Sequence, residues 1–444
     1  GIVSIIFLIV SILNLFYNPG IISAIQRLYH SENDLTSRQE LIGSGYVFFI
    51  STPIILLFTS IIFGDFVFSK IFDDFSFYPY GLIAIILSFF TQTKRLWINL
   101  LTLTYEVKKI AIYTVISVFL GILVSLFLVV YLKMGVMGRV LGAFPGSILL
   151  FIIGSKEIIK FSKFKWSISK LKYILKFGSP LIVAIFSYEF LHIADRFIIE
   201  QLLGLAALGI YTFSYTISEA QKFVMIGLNQ LFSPIFYENM NLKKYELIKK
   251  ILSAYIIVLT YINVLIILFS NEIIILLVNS RFLESIKLIP IISAGLFFNG
   301  LLLVFTSSLS FKNKFGSISK IALIASVLNV VLNLILIPYY GLLAAAYSTL
   351  ISYFIYFLIG FFLEIKSIKI YTNLRVLFFS ILILLISLFL VLNINSIELN
   401  FFNIIIKLIY LLFFTFSLFY FKMLETSYFI KLYYRIIQYL KINK

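Results

Sequence analysis

Glu189, His192 and Arg196 lie three and four residues apart inside a long apolar stretch, so a helix carries them on one face. Further along, Tyr211, Tyr215, Glu219 and Lys222 repeat at the same period, with Gln221, Asn229 and Gln230 beside them. Ionisable side chains at such depth are costly, and their default reading is functional. Lys222 sits near the middle of its stretch, too deep to snorkel to a surface. It either meets an anionic ligand or forms a structural ion pair with Glu219 at i, i+3 spacing. Asp195 and Arg196 stand near one end of their helix, as a gate pair or as ligand contacts. Glu189 is the candidate protonation switch, since a carboxyl group moved between wet and dry surroundings changes its proton affinity. His192 has the right chemistry for the same role, or is simply a hydrogen-bonded histidine. Arg27, far upstream, is either a second cationic contact or a charge anchoring its helix end.

The elements that carry these residues are membrane spans. Of 444 residues, 61% are hydrophobic and 12% charged, against roughly a quarter charged in a soluble domain. Runs such as 110–132, 251–269, 376–392 and 401–421 reach the ~20 residues that cross a bilayer as a helix. They lack the period-two alternation of barrel strands. The expected fold is therefore an all-α integral membrane protein. About 13 spans are expected, near 1–29, 43–63, 77–99, 110–132, 135–154, 177–200, 206–236, 251–269, 285–310, 320–337, 341–363, 376–394 and 399–421. A net charge of +17 fits the bias of Lys and Arg towards cytoplasmic loops rather than nucleic-acid binding. Cysteine is absent and histidine occurs twice, which leaves no disulfide framework and argues against a zinc site. No phosphate-binding G-x-x-x-x-G-K-[ST] run is present.

Loop charge orients the spans. Arg38, Lys94, Arg95, Lys108, Lys109, the lysines of 156–176, those of 243–250, those of 312–320, and Lys366, Lys369 and Arg375 fall in alternate loops, with the basic tail to Lys444. That set is expected on the cytoplasmic side, together with the C-terminus. The opposite set holds few cations, Lys70, Lys133, Arg281 and Lys287, beside acidic Asp65, Asp73, Asp74, Glu272, Glu284 and Glu398. The chain also repeats. Gly135 and Gly341 each open a span after a short turn, an offset of 206 residues, and Gly138, Gly142 and Gly146 fall on Ala344, Ser348 and Ser352. Gly1 and Tyr29 fall on Gly209 and Tyr237 at an offset of 208. Two pseudo-symmetric lobes are expected, 1–154 and 177–363, joined by the basic linker 155–176 and followed by two extra helices and a basic tail in 364–444. The repeat implies a first helix preceding residue 1, giving two six-helix lobes plus two helices, 14 in all. Internal repeats of this kind mark secondary transporters.

The stretch from Lys176 to Ser218, KFGSPLIVAIFSYEFLHIADRFIIEQLLGLAALGIYTFSYTIS, resembles the second-half opening of bacterial polysaccharide (O-antigen, Wzx-type) flippases. Its marks are Phe177, Gly178 and Pro180, then Asp195-Arg196, then Gly204, Gly209 and Tyr211. NPGIISAIQRLYH at 18–30 and GLLAAAYSTLISY at 341–353 look alike as well. These flippases belong to the MOP superfamily with lipid II flippases and MATE exporters. His192 departs from the pattern, where a neutral polar residue such as Asn is expected. The resemblance implies alternating access between two lobes, with no cofactor, at the bacterial cytoplasmic (inner) membrane. Its implied cargo is a polyprenyl-pyrophosphate-linked oligosaccharide, carried to the outer leaflet for surface polysaccharide synthesis. Lys222, Arg27, Arg196, Tyr211 and Tyr215 then become cargo contacts, while Glu189, His192, Asp195 and Glu219 serve coupling or gating to a proton or sodium gradient. The resemblance also implies a polysaccharide polymerase and a chain-length regulator as partners. Another branch of the superfamily, a lipid II flippase or a drug antiporter, is the alternative. A membrane glycosyltransferase or polymerase is disfavoured, because Asp73-Asp74 is the one acidic pair in the outer loops.

Three features concern mechanics. Asn18-Pro19-Gly20 and Phe144-Pro145-Gly146 are expected to break or kink their helices, with Pro53 a third such point. Segment 155–176 mixes seven lysines with Phe161, Phe164, Trp166, Ile168 and Leu171; it either rests on an anionic membrane surface or is an ordinary basic loop. Lys407, inside the last span, either contacts lipid headgroups or snorkels to the outer interface.

Overall fold

The computed structural model describes residues 2–29, 32, 34–71, 77–104, 106–277, 280–312, 314–367, 373–394 and 400–421, and among these residues every regular element is helical. Side chains of Arg27, Glu189 and His192 lie outside the described set, as do Asp73, Asp74 and Glu398. The helices are α1 (Ile2–Phe16), α2 (Ile21–Tyr29), α3 (Leu35–Ile71), α4 (Leu82–Leu103), α5 (Val107–Leu126), α6 (Gly135–Leu141) and α7 (Ala143–Ser162). They continue with α8 (Ile168–Ser218), α9 (Ala220–Asn241), α10 (Tyr245–Leu277), α11 (Ser285–Phe311), α12 (Phe315–Ser367), α13 (Leu374–Ile394) and α14 (Phe401–Tyr420). Nine stretches of described residues are long and apolar enough to cross a membrane. The two longest, Ile193–Asn229 and Gly316–Glu364, well exceed one crossing. Each contains a glycine that leaves helical geometry, Gly204 at φ 81° and Gly341 at φ 60°.

The chain forms two compact units, Gly1–Ile193 and Ala194–Lys444. The division falls within α8, beyond the basic linker that separates the halves in sequence.

In the first unit α3, α4, α5 and α7 pack together around Trp97, Phe49, Leu96, Leu150 and Ile158. Gly146 permits the close approach of α7 to α5: a β-carbon there would stand 2.3 Å from the Ser117 carbonyl oxygen. Asn18-Pro19-Gly20 separates α1 from α2. The Asn18 side chain caps α2 by accepting from the Ile22 amide at 3.1 Å. Gly20 takes φ +75°, and a β-carbon on it would lie 2.3 Å from the Gly178 carbonyl oxygen. Two motifs far apart in sequence, Asn18-Pro19-Gly20 and Phe177-Gly178-x-Pro180, therefore touch backbone to backbone. At Phe144-Pro145-Gly146 the interruption falls just before, at Gly142 between α6 and α7, since proline fits the first turn of a helix. Pro53 lies inside an α3 that continues through it.

In the second unit α11 packs along α12, and α10 contacts α9, α11 and α13. Ala344, Ser348 and Ser352, the repeat counterparts of Gly138, Gly142 and Gly146, are buried on α12, where small side chains let helices approach closely. Gly135 and Gly341 both take a positive φ, 54° and 60°, which glycine adopts at no steric cost. Polar residues point inward, including Asn263, Gln221, Asn329 and Asn333, whereas Leu334, Phe389, Leu412 and Phe416 are exposed. That arrangement suits a hydrocarbon solvent, where polar contacts between helices supply the association.

Candidate functional site

Most of the described candidate residues gather in the second unit. After the break at Gly204, α8 brings Tyr211 and Tyr215 beneath Asp195 and Arg196 of its earlier turns. Asp195 is fully buried. Its Oδ2 accepts a 2.5 Å hydrogen bond from the Tyr211 hydroxyl, and its Oδ1 accepts from the Arg196 amide at 2.8 Å. The Tyr211 hydroxyl is also 3.2 Å from the Thr349 hydroxyl on α12. A buried carboxylate is tolerable when its lone pairs are filled in this way.

Arg196 is half-buried, with its Nε enclosed and without a hydrogen-bond partner. Its guanidinium carbon stands 4.9 Å from the centre of the Tyr215 ring. The Lys222 ammonium stands 5.7 Å from the centre of that ring. Tyr215 is fully buried and hydrogen-bonded to Tyr353 of α12. Two cations thus share one aromatic ring, the geometry of cation–π attraction.

Glu219 completes the group. Its Oε1 accepts from Lys222 Nζ at 2.6 Å, with the two side chains 33% and 28% exposed. The i, i+3 ion pair that the spacing allows is therefore formed, yet both groups keep an open side. The junction of α8 and α9 that presents them is anchored from behind. Gln221 Nε2 donates to the Ser218 and Ser293 carbonyls at 3.1 and 3.2 Å. Asn263 Nδ2 donates at 2.7 Å to both Gln221 Oε1 and the Ser293 carbonyl. With Gln221 so held inward, Lys222 and Glu219 remain half-exposed.

The chemistry on offer is electrostatic. Two cations flanking a buried tyrosine, with one carboxylate nearby, can receive an anion by displacement of the Glu219 partner. Among the described residues no group of three or more His, Cys, Asp or Glu could hold a metal ion.

Several polar groups escaped the pattern of stripes. Thr349 and Tyr353 reach the site from α12. Lys407 of α14 is fully buried and donates to Glu272 of α10 at 2.8 and 3.0 Å. It neither snorkels nor faces headgroups, because the carboxylate that meets it belongs to a helix rather than a loop. Glu364 of α12 is buried too, with Oε1 accepting from the Ser308 hydroxyl at 3.1 Å. In the first unit, Arg139 donates to the Ser125 hydroxyl at 3.3 Å, and Trp97 donates from its indole N–H to Glu157 Oε2 at 2.6 Å.

Comparison with known proteins places the chain. A family model described as polysaccharide biosynthesis protein matches residues 1–287. The chain belongs to that family. Among solved structures, the lipid II flippase MurJ in an inward closed conformation matches with a TM-score of 0.68 at 20% identity, covering 94% of this chain and 93% of that one. A multidrug resistance MATE family transporter of the MOP superfamily, inward-facing, gives 0.67 at 12% identity over 82% and 90% of the two chains. A MOP superfamily transporter from Pyrococcus furiosus gives 0.56 at 12% identity over 82% and 86%. At such identities the likeness is one of fold: this polysaccharide biosynthesis family member has the architecture of MOP transporters. No curated protein sequence matches the chain.

Proposed function

We propose that this protein is a flippase that moves a polyprenyl-pyrophosphate-linked oligosaccharide from the cytoplasmic to the outer leaflet by alternating access, for surface polysaccharide synthesis. The observation that carries the reading is the Arg196–Tyr215–Lys222 arrangement, two cations over one buried ring with Glu219 as a displaceable partner. A pyrophosphate is a compact anion that cations can neutralise within the membrane, and the tyrosines Tyr211 and Tyr215 frame the place where it would rest. Arg27 is assigned the corresponding cationic contact from the first lobe. Membership of a polysaccharide biosynthesis family and the fold of MOP transporters support transport over an enzyme.

Asp195, fixed by Tyr211, acts in this scheme as a gate element that orders the α8 turn on which Arg196 is carried. Glu189, with His192 as the second candidate, senses a proton or sodium gradient, since an ion drives a cycle only by binding two conformations with different affinity. The protein resides in the bacterial cytoplasmic membrane with its C-terminus inside, the orientation that places its basic loops in the cytoplasm. Lobes 1–154 and 177–363 open alternately to the two sides of the membrane, and a polysaccharide polymerase takes over the delivered unit.

Replacing Lys222 tests the assignment in cells. Lys222→Ala is expected to abolish surface polysaccharide at unchanged protein level in the membrane, and Lys222→Arg to retain part of it. Normal polysaccharide in the Ala variant would reduce Lys222 to a structural partner of Glu219.

A further inference from the structure

The connection from α7 to α8 is built, not slack. Residues 163–176 fall outside the nine membrane-length stretches. Lys163 and Phe164 occupy consecutive left-handed positions, at φ 51° and 57°, which non-glycine residues adopt only when held there. Here they are held. The Lys163 amide donates to the Ile159 carbonyl at 2.8 Å and the Lys165 amide to the Ser162 carbonyl at 2.9 Å. Ser44 of α3 clasps the far side: its hydroxyl accepts from the Ser167 amide at 3.0 Å, and it lies 3.2 Å from the Ser167 carbonyl, to which it donates. Gly43 lets the loop come this close, since a β-carbon there would stand 2.0 Å from the Lys165 carbonyl oxygen.

This backbone holds large apolar side chains outward. Phe164 is 76% exposed, Ile168 60% and Trp166 50%. On the first turns of α8, Ile174 is buried in the core of the first unit, while Lys172 and Tyr173 face out. Lys163 is exposed beside them, and Lys170 is turned away to Glu32 at 2.7 Å. Beneath the loop lies a cavity of about 170 Å³, lined by Tyr46, Phe164, Lys165 and Trp166 among others. Water would penalise the rings and hydrocarbon the lysines. A phospholipid headgroup layer accommodates both, with tryptophan and tyrosine favoured at that depth.

We propose that residues 163–176 form a binding site for anionic phospholipid, with Phe164, Trp166 and Ile168 entering the headgroup layer and Lys163, Lys165 and Lys172 meeting phosphate groups. The cavity under Lys165 and Trp166 receives one headgroup. Charge complementarity selects the occupant, because each lysine close to an anionic surface strengthens association by roughly fivefold.

Trp166 reports on the site, as the other tryptophan, Trp97, is fully buried. The full chain is placed in nanodiscs doped with phosphatidylglycerol or phosphatidylcholine, spin-labelled close to the headgroup, and the fluorescence lost in Trp166→Phe is taken as the Trp166 signal. Labelled phosphatidylglycerol is expected to quench that signal more strongly than labelled phosphatidylcholine. In a Lys163→Gln, Lys165→Gln, Lys172→Gln variant the preference should fall by at least roughly fivefold, the share of one lysine. These lysines carry exposed or half-exposed side chains, and elution of the variant as wild type confirms its fold. Equal quenching by the two lipids overturns the proposal. So does ready quenching of Trp166 by aqueous iodide, which would place the loop in water. Loss of the preference on adding millimolar inorganic phosphate would mark a free-anion pocket in place of a lipid site, and also overturns it.

Discussion

Lys407→Met strands the Glu272 carboxylate of α10 inside the second unit. Lys407 is 0% exposed and Glu272 11%, and the ammonium donates to both carboxylate oxygens. Removing one member of a buried ion pair costs about 3–5 kcal/mol, mostly from the charge left without a partner. For a folding unit of this size, each kcal/mol lowers the melting temperature by about 2–4 °C. The variant is therefore expected to melt at least about 6 °C below wild type, measured as the fraction still eluting as a monodisperse peak after heating in detergent. Lys407→Met combined with Glu272→Gln removes both charges and should regain most of that loss, because replacing a whole buried pair is often close to neutral. The contrast between single and double variants is diagnostic. A single variant within about 1 °C of wild type, the change of an ordinary surface substitution, would refute a buried pair as the tie between α14 and α10. A double variant no better than the single would do the same.

Other expectations follow from the described geometry. Lys170 holds the Glu32 carboxyl below its ordinary value of 4.5, with help from Ser37. A depressed carboxyl pKa contributes stability above the unfolded value and loses it as pH falls through the folded one. The melting difference between wild type and Lys170→Ala should thus be full at pH 7 and shrink below pH 4.5; a difference independent of pH would exclude the pair as its source. Gly20→Ala meets both a positive φ and the Gly178 carbonyl, so it should cost more than the ~1–2 kcal/mol of a left-handed residue alone, and an unchanged melting curve would count against the contact. Because the chain lacks cysteine, orientation can be read without background. Met134→Cys should react with an impermeant thiol reagent on intact cells and Lys163→Cys should not, and the reverse pattern would invert the topology.

The helical membrane fold was legible because apolar runs of spanning length leave one economical solution to backbone hydrogen bonding. Breaks were legible where glycine or proline forced them, as at Asn18-Pro19-Gly20, and Gly135 and Gly341, each expected to open a span after a short turn, both take a positive φ. Within the site, helical period alone brings Tyr211, Tyr215, Glu219 and Lys222 to one face. What closes behind them was not legible. Thr349 and Tyr353 reach the site from a helix remote in sequence, and no local spacing announces such a contact. Lys407 shows the same limit: its partner Glu272 is 135 residues away and reads as a loop carboxylate until the length of α10 is known. The position of Pro145 differed for a local reason, since proline inside a first turn starts a helix instead of breaking it.

Transfer between leaflets is the most direct test of the central claim. Purified protein is reconstituted in liposomes with a polyprenyl-pyrophosphate-linked oligosaccharide, and the sugar reaching the opposite leaflet is followed by its accessibility to an added lectin. Wild type should move the intact lipid-linked sugar, Lys222→Arg part of it, and Lys222→Ala should fall to the rate of protein-free liposomes. Transfer by Lys222→Ala at the wild-type rate, or chemical alteration of the sugar lipid with no movement between leaflets, would contradict the account.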